Sequence, residues 1–594
     1  MTARAGRVGA AWGALCGVLA AAVAMGVAQL LAGLSTPAAS PVIAVGQEAI
    51  NLTPLPVKDW ATSTFGNNDK NVLLTGVFVV VFLYAIVVGV VAMRRLSAGF
   101  IGLAIFAVIG MAAALTRPHA AAGWALPTLG GALAGAFVLY RLVIAARPMA
   151  FGGAPVAPGS SRASGGLPPI VFGGPQDDTA GASDETGGAN GANGELRAPD
   201  LPDVPGAAGL PGEVTAPQPP GASVPALRVP ARPPGAPARR AFLVTAGISV
   251  AVAAIGEIGG RQLATRRNVS AARSAVRFPR AAEPSPPLPA GVNLPIPGIS
   301  PFITPNAQFY RVDTALIVPE VDPSNWQLRI HGMVDREITV TYGELLRRPL
   351  IENYMTLCCV SNPVGGPYIG NAKWLGASLA TLLREARPRA GASQLLCTST
   401  DGFTSGTPLS VVLDGRDALV AVAMNGAALP VEHGFPARLV VPGLYGYVSA
   451  CKWVVDIEVT TFQQAVAYWA QRGWSQQAPI KTEARIDVPG SGSQVAAGRV
   501  AVAGVAWAQH KGIDAVEVRV DGGEWHEATL ATVPNIDTWR QWVWQWENAA
   551  VGPHLIEARA TDKTGYTQTS LQADVAPNGA TGYPSSQITV YQPR

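Results

Sequence analysis

Charge is scarce in this chain. Asp, Glu, Lys and Arg make up 14% of 594 residues and nearly cancel, leaving a formal net charge of +4. So weak a balance over such a length gives no electrostatic reason to propose nucleic acid as a partner. Cysteine is scarce too: five residues, Cys16, Cys358, Cys359, Cys397 and Cys451, with no CxxC spacing. That argues against a structural zinc site and an iron–sulfur cluster, and leaves open a disulfide among Cys358, Cys397 and Cys451. Near the apolar segments of the first quarter the only histidine is His119, beside Pro118. A bis-histidine haem needs two facing histidines, so a membrane cytochrome is disfavoured.

Long hydrophobic runs are what the sequence has instead. Mean hydropathy is +0.25. Runs at 8–34, 72–93, 98–115 and 123–145 each approach the ~20 residues that a bilayer core requires. They define a four-helix transmembrane module over 1–147, and their small residues favour close helix packing. Residues 148–238 then change to a Gly/Pro/Ala/Asp mixture without apolar periodicity, which reads as a disordered linker. A fifth transmembrane segment follows at 239–260. Its opening Arg239-Arg240-Ala241-Phe242-Leu243 reads either as a twin-arginine export start or as the basic flank of an ordinary span. Basic residues Arg4, Arg7, Arg94, Arg95, Arg141, Arg147, Arg239 and Arg240 all fall on one side of five spans. The resulting expectation is a multi-pass cell-membrane protein whose C-terminal part lies on the extracytoplasmic side.

After an extended linker at 261–300, residues 301–465 read as an α+β domain. Short strands at 326–332, 338–340, 395–398, 419–424 and 438–441 alternate with helical runs at 342–347 and 379–386, without regular βαβ order. Residues 478–594 hold short strands at 499–505, 515–520, 529–533, 539–546, 554–560 and 587–590, the density of an immunoglobulin-like β-sandwich. Trp542, Trp544 and Trp546 alternate there and so share one face.

The chemistry-bearing residues are Thr356-Leu357-Cys358-Cys359-Val360-Ser361-Asn362, then Asn425-Gly426, Glu432-His433-Gly434, Arg438 and Lys452-Trp453. A thiolate suits a soft metal, and imidazole, guanidinium and ammonium suit a phosphate-bearing organic group. In an extended segment Cys358 and Cys359 face opposite ways. A lone cysteine is more often a small buried hydrophobe than a ligand, which is the reading for Cys358, Cys397 and Cys451. Gly443 and Gly446 would let backbone amides approach a phosphate.

These motifs, in this order, resemble the molybdopterin-binding domain of the sulfite oxidase family. The resemblance covers about residues 301–462. It begins at Phe309-Tyr310-Arg311-Val312-Asp313-Thr314 and continues through the Trp-x-Leu-x-Ile-x-Gly run at 326–332 and the Cys-x-x-Asn at 359–362. Asp401-Gly402-Phe403, Leu429-Pro430, the run from His433 to Arg438, Pro442-Gly443-Leu444-Tyr445-Gly446 and Lys452-Trp453 complete it. The resemblance implies a molybdenum–molybdopterin cofactor with Cys359 as the protein's metal ligand and a two-electron oxygen-atom transfer. It implies cofactor contacts from Tyr310, Arg311, Asn362, Asp401, Asn425, His433, Arg438, Ser449 and Lys452, with Arg311 beside the catalytic Cys359. It also implies a small oxyanion or sulfoxide-type substrate, a separate cytochrome or quinone-linked electron-transfer partner, and a dimerisation-type role for the C-terminal part, hence a homodimer. Pro363-Val364-Gly365-Gly366 departs from the family pattern, which continues with arginines, so one expected positive group near the substrate is missing. Readings from other classes are a non-catalytic cofactor- or partner-binding protein on the same scaffold and a membrane-tethered scaffold without metal.

Overall fold

A computed structural model describes residues 2–36, 39–54, 57, 60, 64–65, 69–117, 120–151, 236–266 and 269–593. His119 and residues 152–235 of the expected linker lie outside the described residues. Met1–Phe151 and Pro237–Arg594 belong to one unit.

The apolar runs form helices α1 (Thr2–Leu34), α3 (Asp69–Arg94), α4 (Leu96–Leu115), α5 (Leu126–Phe151) and α6 (Ala236–Arg266), with a shorter α2 (Pro41–Leu52) after α1. Among the described residues five segments, Val8–Leu34, Lys70–Arg94, Leu96–Leu115, Ala122–Ala150 and Ala238–Gly260, are long and apolar enough to cross a membrane. Burial in lipid gives helices no net hydrophobic reason to associate, so contact depends on close backbone approach. Around α1 that approach is tight. A Cβ on Gly17 would lie 1.9 Å from the Ala85 carbonyl oxygen of α3, and one on Gly26 2.7 Å from that of Ala253 in α6. One on Gly131 of α5 would lie 2.4 Å from the Ala24 oxygen. Arg147 Nε and Nη2 donate to the Met93 and Ala92 carbonyls at 3.2 and 3.1 Å, covering the C-terminal end of α3 where a cation is favoured. Helix α2 escaped the sequence reading because its 12 residues mix Gln47, Glu48 and Asn51 among apolar positions and never approach spanning length.

From residue 327 the chain is β-rich. Strands β1 (Gln327–Gly332), β2 (Ile338–Thr341), β3 (Leu350–Cys358), β4 (Ile369–Ser378), β5 (Gln394–Ser399), β6 (Thr404–Pro408), β7 (Leu419–Met424), β8 (Ala427–Ala428), β9 (Arg438–Val440) and β10 (Val454–Thr460) build two sheets. One runs β2-β1-β10-β5-β6, a mixed sheet with β1 and β10 parallel and the other pairs antiparallel. The other runs β3-β4-β7-β8, with β9 on β7. On β1, Leu328 and Ile330 are buried while Gln327 and Arg329 are exposed, the period of two that puts one face on the core. Strand β7 is buried along its whole length, as a continuous apolar run requires. The helix Tyr342–Arg347 starts at a capping box in which Thr341 and Glu344 exchange bonds.

Two further sheets follow. A four-stranded one holds Glu483–Val488, Gly498–Trp507, Arg540–Ala549 and Thr529–Leu530. A five-stranded one holds Gln494–Ala496, Ser585–Tyr591, Gly552–Asp562, Ile513–Val520 and His526–Glu527. Trp542, Trp544 and Trp546 do share a face, opposite Gly504, Val502 and Val500, with Trp542 fully buried and the other two half-buried. This part also grips β3. Trp539 N and Gln509 Nε2 donate to Thr356 Oγ1 and O, and Thr356 N donates to Asp537 O at 2.9 Å. Thr356 is thereby held three residues before Cys359.

Candidate active site

One pocket collects most of the chemistry singled out in the sequence. It opens where β3, β5 and β9 end or begin and where the chain enters β10, and it encloses about 900 Å³, open space at its mouth included. Tyr310, Cys359, Asp401, His433, Arg438 and Lys452 all line it.

The turn after β3 separates the adjacent cysteines. Cys358, the last residue of β3, is fully buried in the main core, whereas Cys359 turns to the pocket. All five cysteines are free, so the disulfide left open above does not form. Burial pushes the Cys359 thiol up, opposed by hydrogen bonds from Ser361 and by the Lys452 charge. Asn362 Oδ1 accepts from Tyr368 N at 2.7 Å, while its Nδ2 is buried without a hydrogen-bond partner.

The basic residues come from separate elements. His433 ends a 3-10 turn, Val431–His433, and its Nε2 donates to Asn306 O at 3.2 Å. Burial, then the neighbouring Arg438 and Lys452, depress its pKa to about 4, so the ring is neutral at pH 7. Arg438 opens β9, sits on the Trp374 ring at 5.2 Å and donates to the His433 and Ala450 carbonyls. Burial lowers its pKa to about 10. Lys452 lies 4.7 Å from the Trp453 ring and 2.8 Å from Asp313 Oδ2; burial lowers it to about 8, against the opposing pull of Asp313. Burial alone would raise the Asp313 carboxyl, but Lys452, Arg311 and Lys70 together hold it well below the carboxylate range. Three bases with suppressed protonation around one cavity would each be relieved by a bound anion.

Other expected contacts lie elsewhere. The Arg311 side chain turns from the cavity to pair with Asp313 at 2.8 Å, 38% exposed. Asn425 sits in the β7–β8 turn at φ 53°, donating to Thr304 O and Asn306 Oδ1 and accepting from Lys373 N. Buried Ser449 donates to Leu444 O and Tyr445 O. None of Asn362, Asn425 and Ser449 lines the pocket. Gly446 does, but Gly443 packs instead against Arg416, Gln509 and His510. The sequence reading missed Asp313 and an aromatic wall of Phe403, Tyr447, Trp469 and Trp474. The two tryptophans fall after the last recognised motif, and only their Trp-x4-Trp spacing before the C-terminal strands marked them.

Among the described residues no group of three or more His, Cys, Asp or Glu could hold a metal. A metal at Cys359 would therefore take its other ligands from an organic group. The thiol and the three bases that line the cavity fit such a group if it is anionic.

Residues 315–469 match the family described as "Oxidoreductase molybdopterin binding domain". Sulfite oxidase of Gallus gallus is 29% identical over 290 residues, covering 41% of this chain and 62% of the relative. The mitochondrial sulfite oxidase of Rattus norvegicus is 29% identical over 272 residues, covering 39% and 49%. The chain thus spans less than two thirds of the length of these relatives. The crystal structure of the sulfane dehydrogenase SoxCD from Paracoccus pantotrophus aligns at TM-score 0.44 and 23% identity, over 49% of this chain and 84% of that one.

Proposed function

We propose, from the premise that residues 315–469 are a molybdopterin-binding oxidoreductase domain of the sulfite oxidase kind, that this chain is a membrane-anchored enzyme of two-electron oxygen-atom transfer. The carrying observation is that Cys359 faces the same cavity as His433, Arg438 and Lys452. The molybdenum–molybdopterin cofactor supplies the two-electron redox chemistry when bound. The protein's part is to bind, orient and screen. Cys359 would hold the metal through its sulfur, and Ser361 and the Lys452 charge favour its thiolate form against burial. Arg438 and Lys452 hold the anionic end, with the guanidinium resting against the Trp374 ring. Neutral His433, its Nε2 donating to Asn306 O, leaves Nδ1 to accept a hydrogen bond. The aromatic wall keeps water from the reacting centre.

With these bases committed to the cofactor and no arginine at 363–366, a sulfoxide-type or weakly charged substrate fits better than a dianion, the small oxyanion remaining the second reading. We read the domain as lying outside the cytoplasm. It meets the bundle at α2 and the start of α3, the end opposite Arg94, Arg95, Arg147, Arg239 and Arg240. Electrons then pass through a separate cytochrome or quinone-linked partner. The C-terminal sheets are read as an immunoglobulin-like sandwich through which two copies pair.

The test is molybdenum and pterin content of the full chain, purified from a cofactor-producing host, beside Cys359→Ser. About one molybdenum per wild-type chain, with the metal lost or its spectrum altered in the variant, is the expected result. A well-folded wild-type chain without metal would overturn it in favour of a non-catalytic binding protein.

A further inference from the structure

The strap that walls one side of the pocket has no regular secondary structure, and its backbone is held from the bundle. Phe309, Tyr310, Val312, Asp313 and Thr314 line the cavity. Just behind them, Lys70 Nζ in the first turn of α3 donates to Asp313 O at 3.1 Å and to Ala315 O at 2.7 Å. Gln47 of α2, itself buried, donates from Nε2 to Thr314 O at 3.2 Å and accepts at Oε1 from Leu316 N at 3.1 Å. Four consecutive residues of the strap, 313–316, thus find backbone partners in two bundle side chains. Nearby, Asn51 of α2 accepts from Arg472 Nη2 and Tyr468 OH, beside Trp469 of the aromatic wall.

Asp313 joins these contacts to the pocket. Its Oδ1 takes Lys70 at 2.8 Å, and its Oδ2 takes Lys452 at 2.8 Å and Arg311 at 2.8 Å. The carboxylate is only 5% exposed, so both bonds are made largely out of water. One buried anion therefore ties a cation of the bundle to a cation of the cavity, and the position of either one constrains the other.

We propose that the bundle is a working part of the oxidoreductase site: Lys70 and Gln47 are positioning residues that hold the 309–316 strap, and through Asp313 the Lys452 ammonium, in the geometry that binds the pocket's anion. This rests on the pocket reading above but not on turnover. Without Lys70, Asp313 is shared only between Arg311 and Lys452 and swings toward them, the strap loses two carbonyl contacts, and Lys452 is drawn from the cavity.

The experiment uses the full chain in detergent, prepared without cofactor, with inorganic phosphate as the probe. Binding is read from fluorescence of the pocket tryptophans, and hydrogen–deuterium exchange is read over 309–316. Lys70→Met is expected to weaken phosphate binding about tenfold, the loss typical of one partner of a partly buried charge pair, and to speed exchange of the strap. Lys70→Arg is expected to restore both. Gln47→Ala removes two neutral bonds and should speed exchange at 314–316 while leaving phosphate binding within about twofold. A fold defect would also slow recovery in Lys70→Arg and change exchange throughout the β-rich part, so the pattern separates positioning from unfolding. Wild-type binding and exchange in both Lys70→Met and Gln47→Ala overturn the proposal. These readouts separate the two claims. A chain that never takes up molybdenum yet shows the shifts sinks the enzyme reading alone. A loaded, active chain with an indifferent Lys70→Met sinks this inference alone.

Discussion

In the bundle, α1 meets its neighbours where side chains are missing; around the pocket, segments meet where side chains are large, charged and buried. Gly17, Gly26 and Gly131 admit a neighbouring backbone into the space a Cβ would fill. Arg438, Lys452 and Asp313 instead fill space and bring charge that must be satisfied locally. The difference is the one that the proposed membrane setting of the bundle would produce. Apolar helices in lipid gain little from burying more apolar surface and associate through close packing. A water-facing domain gains from each apolar group removed from water, and that gain offsets the cost of a few buried charges.

The sharpest way to break this comparison is at Trp374, fully buried, under Arg438 and donating from Nε1 to Met355 O at 3.1 Å. Trp374→Ala is expected to cost about 3–5 kcal/mol in the β-rich part, read by chemical denaturation, and to leave the bundle's helices intact by circular dichroism. Next comes acid. The folded pKa of His433 is about 4 against an ordinary 6.5, so between those values the unfolded chain binds a proton that the folded chain refuses. Stability of the cofactor-free protein therefore falls as pH drops from 6.5 toward 4, by on the order of 2–3 kcal/mol, and His433→Gln should flatten that slope. A smaller effect tests the bundle: Gly17→Leu should cost about 1–3 kcal/mol by overpacking, seen as a lower detergent melting temperature. Gly76→Leu, with nothing within 4 Å of its Cβ position, should be neutral in the same assay. Smallest is Arg329→Ala, which breaks an exposed, solvent-screened pair with Glu337 and should leave the denaturation midpoint almost unchanged.

How much could be read beforehand differs along the same divide. Spanning helices announce themselves because every residue for ~20 positions must be apolar, a one-dimensional requirement. The sequence limits of the runs at 8–34 and 98–115 agree with Val8–Leu34 and with the span ending at Leu115. Strands 419–424 and helix 342–347 were legible for a similar reason, a local period of two or 3.6. Helix α2 was not, since its 12 residues never approach spanning length and its Gln47 finds its partners in the strap at 314–316, more than 250 residues away. The pocket was legible through residue types in a recognisable order, which pointed to Cys359, His433, Arg438 and Lys452. It was not legible for Asp313 or Trp469, whose roles depend on what they touch.

The sequence alone thus determined the number and length of apolar spans, the β-rich character of the second half, and the residues with chemistry to offer. Each is a property of composition or short-range period. Only the tertiary structure decided that Arg311 turns to Asp313, that Asn425 and Ser449 serve turns, and that Lys70 of the bundle shares a carboxylate with Lys452. Those outcomes depend on which surfaces meet across long stretches of chain, where desolvation and close approach act on pairs that no local pattern records.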